Sequence, residues 1–248
     1  MLRLKAAIPP SHFVVRDSPA ACFRWLPSLL CCFAMHGAQA ARPMATDDTA
    51  TAPAGECQIE AWGERVDAER SQVIAPACGL TDTLELDTAA SRIQGGEASV
   101  NGLVVGLKWV PGNTVFDTAL GTVRLGVLGG MFWVRDPGSG WKADTFALAG
   151  LSSLEFSPTW NLYANLVTAR NLDSGKHVNG LRMALAWQPD ERWLLFVEGL
   201  RSSDSTNLRN AGFRLWAIPE VLGLDVVTTR SAGVGLTVSV GFGWYGIR

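Results

Sequence analysis

Between Val234 and Trp244 the chain alternates with a period of two. Val234, Leu236, Val238, Val240, Phe242 and Trp244 share one parity, and Gly235, Thr237, Ser239, Gly241 and Gly243 share the other. Successive side chains of a strand point to opposite faces, so this stretch is a strand with one wholly apolar face and one small or polar face. A soluble sandwich would bring its bulky residues together in a dry centre. A sheet of strands like this one suits a closed barrel in lipid, because closure pairs every backbone N–H and C=O where no water can.

The same pattern recurs upstream. Leu103, Val105, Leu107 and Trp109 alternate with Val104, Gly106 and Lys108; Leu181, Met183, Leu185 and Trp187 alternate with Arg182, Ala184 and Ala186; Leu222, Leu224 and Val226 alternate with Gly223 and Asp225. Alternate connections are tight and carry proline at Pro158, Pro189 and Pro219, with Pro111 opening a longer one. Between them lie longer polar loops around Arg135 to Lys142, Asn171 to Lys176 and Arg201 to Asn207. Short turns on one rim and longer loops on the other are an outer-membrane arrangement, with the short turns periplasmic. Trp109, Trp160, Trp187, Trp193, Trp216 and Trp244 all fall at the proline-turn end of their strands, where an aromatic girdle would lie at the boundary of hydrocarbon and water. These features predict an all-β, antiparallel, up-and-down transmembrane barrel over residues 56–248. It should have about twelve strands, or ten if the Cys57 hairpin lies outside the wall.

The first forty residues read as a cleaved signal peptide. Arg3, Lys5, Arg16 and Arg24 form a basic region, Trp25 to Met35 an apolar run, and Ala38-Gln39-Ala40 a small-x-small cleavage site. That run is too short to span a bilayer as a helix, and no later run approaches the roughly 18 to 20 apolar residues needed. Residues 41–55 hold few large apolar side chains and read as a disordered lead-in. Loss of the signal takes Arg3, Lys5, Arg16, Arg24 and Asp17 with it, moving the formal charge from −2 to about −5. A mildly acidic chain without a basic cluster argues against nucleic acid as a partner. Cys57 and Cys78 remain, an even number in an oxidising compartment. They are read as a disulfide closing the first hairpin, with two buried thiols as the alternative. No spacing of cysteine and histidine suits a metal, and no cofactor motif is present.

In its export signal, dyad alternation, turn asymmetry and last strand ending in Val240, Phe242 and Trp244, the chain resembles the Gram-negative outer-membrane β-barrel proteins in general. The resemblance implies outer-membrane lipid and lipopolysaccharide as surroundings, the barrel-assembly machinery as a partner and a monomer by default. One departure is that Tyr245-Gly246-Ile247-Arg248 follow Trp244, where such proteins usually end on an aromatic residue.

The chemistry rests on charges expected to face the lumen: Lys108, Arg124, Arg182, Glu198, Arg214 and Asp225. Either they form a selectivity lining for a small polar solute, or they pair and rigidify a plugged barrel, since buried charges need partners in any case. The functional expectation is a narrow passive channel or a structural membrane protein. A lipid-modifying enzyme would lean on His177, near Asp173 and Ser174, and adjacency within one loop does not make a triad. A soluble periplasmic barrel holding an apolar ligand would need the two strand faces reversed.

Overall fold

A computed structural model describes residues 44–66, 69–95, 98–231 and 235–248. The expected signal peptide, residues 1–40, and Val234 lie outside the described residues. The strands, in chain order, begin with β1 (Cys57–Val66), β2 (Glu69–Thr81), β3 (Leu84–Gly95), β4 (Ala98–Trp109) and β5 (Val115–Thr118). There follow β6 (Gly121–Arg135), β7 (Lys142–Ser157), β8 (Trp160–Asn171) and β9 (His177–Asp190). The last four are β10 (Trp193–Ser202), β11 (Asn207–Ile218), β12 (Leu222–Ser231) and β13 (Gly235–Ile247).

Each wall strand pairs antiparallel with its neighbours, β1 pairs with β13, and β4 pairs directly with β6, so the wall is a closed barrel of twelve strands. β5 is a short strand folded back on β6 and takes no part in the closure. Both ends of the wall lie on one rim, since Cys57 stands opposite Ile247. Closure leaves no long strand edge, which lets such a sheet sit in hydrocarbon.

The alternation maps onto outside and inside as the sequence predicts. On β13 Leu236 is 70%, Val240 57% and Trp244 52% exposed, whereas Thr237 and Ser239 between them are 6% and 3% exposed. Leu103, Leu107, Leu148, Leu166, Leu181 and Val197 likewise project outward. An apolar exterior that runs around the whole wall would aggregate in water and is at home in lipid. A soluble barrel with its bulky residues inside is therefore ruled out.

The rims differ less than expected. The proline rim has short turns at residues 82–83, 158–159, 191–192 and 219–221, and the longest connection, residues 110–120 with β5, lies there too. On the opposite rim residues 136–141, 172–176 and 203–206 form the longer loops, while β1 and β2, and β3 and β4, are each separated by two residues in sequence.

Two expectations about the interior fail. The inner face is not uniformly small and polar, because Trp62, Ile93, Val100, Val104 and Phe132 pack together inside the loop-side half of β1, β3, β4 and β6. The lead-in also fails as a disordered segment over residues 44–55. Met44, Ala45, Thr46, Asp47, Thr49 and Ala52 are all buried, and they run through the lumen. Composition misled because the order of this segment comes from side chains on the wall, not from its own packing.

Candidate functional site

The leading segment turns into the wall at Gly55, whose φ of 77° is open to glycine at little cost. Gly55 N–H donates to the Gly79 carbonyl at 2.9 Å, and Gly79 N–H donates to the Glu56 carbonyl at 2.9 Å. Gly79 is also the gap through which the segment passes. A Cβ there would stand 2.2 Å from the Ala52 carbonyl oxygen and 2.3 Å from that of Pro53. Beyond this point Ala52 N–H donates to Glu85 Oε2 at 2.6 Å, and Thr49 N–H donates to Ser153 Oγ at 3.0 Å.

Deeper inside, Asn165 treats Asp47 as a neighbouring strand would. Its Oδ1 accepts from Asp47 N–H at 2.7 Å and its Nδ2 donates to the Asp47 carbonyl at 2.9 Å. Lys108 Nζ reaches Asp47 Oδ1 at 2.8 Å and Asp48 Oδ1 at 3.3 Å. The segment then meets the middle of β10, where the Glu198 carboxylate accepts from Ala45 N–H at 2.7 and 3.0 Å and from Thr46 N–H at 3.1 Å. Arg182 Nη1 donates to the Ala45 carbonyl at 2.8 Å, and Met44 packs among Ala184, Ala186, Phe196 and Val227. Side chains from six wall strands thus hold one short segment, chiefly by charge-assisted or backbone hydrogen bonds. Burial, outweighing the pull of Lys108, pushes the Asp47 carboxyl up to about 6.

A second polar cluster closes the barrel nearer the proline rim. Arg214 grips Asp225 with two bonds, Nε to Oδ1 at 2.7 Å and Nη2 to Oδ2 at 2.8 Å, and lies 3.4 Å from Glu60 Oε1. Tyr245 hydrogen-bonds both Arg214 and Glu60, and the guanidinium stacks 5.0 Å from the Trp216 ring centroid. The planar guanidinium suits both a bidentate carboxylate and an aromatic face. The residues after Trp244 therefore have partners of their own: β13 continues to Ile247, Tyr245 turns inward, and Arg248 pairs with Glu56 at 2.7 Å.

Of the expected lumenal charges, Lys108, Arg182, Glu198, Arg214 and Asp225 are buried inside the barrel. Arg124 has the same parity as buried Gly126 and Leu128, yet it lies near the rim with its side chain 45% exposed, 3.9 Å from Glu155. Trp109, Trp187, Trp193 and Trp244 are exposed on the outer face, and Trp160 stacks on Trp187 with centroids 5.6 Å apart. Trp216 is a correction. It shares the parity of Arg214 and packs inside against Arg214 and Tyr245, so it does not belong to the outer girdle. Cys57 and Cys78 stand opposite each other in register and are bonded.

His177 starts β9 on the outer face opposite Arg170. Asp173 pairs instead with Lys142, and Ser174 donates to Asn171, so the structure does not assemble these residues into a triad. Sequence reasoning missed Glu60, Glu85, Asp87 and Asn165, all buried in the lumen. For Glu85, Asp87 and Asn165 the available signal was their parity opposite outward Leu84, Leu86 and Leu166, and for Glu60 its parity with buried Trp62.

Comparison with solved structures finds the same fold in outer-membrane proteins. The chain is similar to a KdgM porin in complex with disordered oligogalacturonate, at 8% identity and a TM-score of 0.58, with 75% of this chain and 98% of that one covered. It is similar to a COG4313 outer membrane channel from Pseudomonas putida F1, at 11% identity and a TM-score of 0.55, covering 80% and 98%. It is similar also to the NanC porin, at 7% identity and a TM-score of 0.54, covering 77% and 99%. None of the curated proteins compared with it matches the chain. Residues 28–233 match the family described as uncharacterised conserved protein UCP029691, and the chain belongs to that family.

Proposed function

We propose that the protein is a narrow outer-membrane channel for small polar solutes, exported after loss of residues 1–40 and closed at rest by its own residues 44–52. The observation that carries this is the manner in which the segment is held. Glu198, Asn165, Ser153 and Glu85 bind its backbone, and Lys108 and Arg182 complete the contacts. Polar contacts of this kind can be exchanged for water, and the apolar surface left behind is the seat of Met44 among Ala184, Ala186, Phe196 and Val227. What it would vacate is a polar passage between β3, β4, β7, β8, β9 and β10. Lys108, Arg182 and Glu198 would then face the solute, which keeps the expected selectivity lining with the segment as its lid. Outer-membrane lipid surrounds the wall, the barrel-assembly machinery inserts it, and one chain suffices for the passage.

The test is bilayer conductance of the mature full-length chain. Wild type should be closed for most of the record, and Glu198→Gln combined with Asn165→Ala should raise the open fraction severalfold. A second reading, a structural barrel with no passage, is favoured by the Arg214–Asp225–Glu60 cluster. Silence from both proteins would establish that reading in place of the channel.

A further inference from the structure

The outer face carries a second pattern, at the end of the strands away from the proline rim. On β10 the outward positions run Trp193, Leu195, Val197, Gly199 and Arg201; on β8 they run Trp160, Leu162, Ala164, Leu166, Thr168 and Arg170. On β12 they run Leu222, Leu224, Val226, Thr228 and Arg230, and on β3 Arg92 is the next-to-last, followed by Gln94. Each stripe begins aromatic or aliphatic at the proline rim and carries an exposed arginine at or next to its far end.

The register makes the pattern costly in isolation. Arg209 stands directly opposite Arg230 on the outer face. Like charges facing each other across strands are destabilising unless an anion lies between or beside them. Among the described residues, no salt bridge joins Arg92, Arg170, Arg201, Arg209 or Arg230 to a carboxylate, and no outward position in the loop-side half of the wall holds one. Asp173, in a nearby loop, is paired with Lys142.

Depth says what the anion belongs to. Eight residues of strand from Trp193 to Arg201 rise roughly 27 Å, or about 20 Å along the barrel axis at a tilt near 40°. That is close to the height of the apolar band of such barrels, about 25 Å. The guanidinium groups therefore sit at the head-group level of the leaflet on the loop side, with their stems lying over hydrocarbon. Arginine, not lysine, occupies these outward positions, and its planar fork binds phosphate through two parallel hydrogen bonds.

We infer that this belt, centred on the facing Arg209 and Arg230, binds the phosphate groups of a phosphorylated lipid in the outer leaflet. The lipid neutralises the paired arginines and fixes the depth of the barrel on the side opposite the proline rim.

The test is native mass spectrometry of the full mature chain taken from nanodiscs doped with bisphosphorylated lipid A. Wild type should carry lipid A adducts, and Arg209→Gln with Arg230→Gln should hold them about tenfold more weakly. Arg209→Lys with Arg230→Lys, which keeps charge and loses the fork, should fall between. A heat-shifted gel band confirms that each variant is folded, and Arg92→Gln with Arg201→Gln serves if the first pair does not fold. The inference falls if the Gln variant retains adducts at the wild-type level, or if lipid A stripped of phosphate binds equally well. It falls also if inorganic phosphate alone displaces the lipid at millimolar concentration.

Discussion

Arg214 shows how much one buried charge requires. Its bidentate grip on Asp225, its contact with Glu60, and the rings of Trp216 and Tyr245 leave it nearly enclosed. Removing one partner of such a group leaves an uncompensated charge, at a cost of about 3–5 kcal/mol. Asp225→Ala should therefore lower the urea midpoint of the refolded barrel substantially, while replacing all three charges together, as Arg214→Met with Asp225→Leu and Glu60→Gln, should restore most of it. A midpoint unmoved by Asp225→Ala would show that the cluster contributes nothing to stability. At this scale parity was legible: Lys108, Arg182, Arg214 and Asp225 could be assigned inward from their neighbours alone. Trp216 was misplaced because its position at the proline-turn end was weighed above its parity with Arg214. Which charge meets which was not legible, since Glu60 and Arg214 are far apart in sequence and meet only through the β1–β13 closure.

Among the elements, the strands could be read from periodicity and the lumenal segment could not. Residues 44–52 have no repeat and little apolar bulk, and most of the groups that order them lie on wall strands, from Glu85 to Glu198. Their seating should respond to pH through Asp47. Seating raises its pKa from the ordinary 3.8 to about 6, so the seated state takes up a proton between those values. The contribution is full below the lower value and is lost as pH rises through the upper one. The open fraction in bilayers should accordingly fall as pH drops from neutral through 6, and Asp47→Asn should flatten that dependence. A wild-type conductance that rises on acidification would contradict it.

For the whole molecule, the closed wall of twelve strands with its outward leucines was expected from sequence, as were the short proline turns and the Cys57–Cys78 bridge. The apolar knot of Trp62, Val104 and Phe132 inside the barrel was not, because single-strand patterns do not reveal which inward residues of distant strands converge. A barrel whose backbone bonds all run between strands unfolds as one unit in detergent. Unheated protein should migrate faster than boiled protein on a denaturing gel, and coincident migration would argue against the closed wall.

The segment that fills the lumen is joined directly to β1, and β1 is tied at its first residue to β2 by the disulfide. It is a leash, with its anchor beside the opening it stops. Once released it stays within a few tens of ångströms of its seat, at an effective concentration in the millimolar range. Return is then a first-order event, insensitive to how crowded the membrane is, and neither dilution nor washing can keep the passage open.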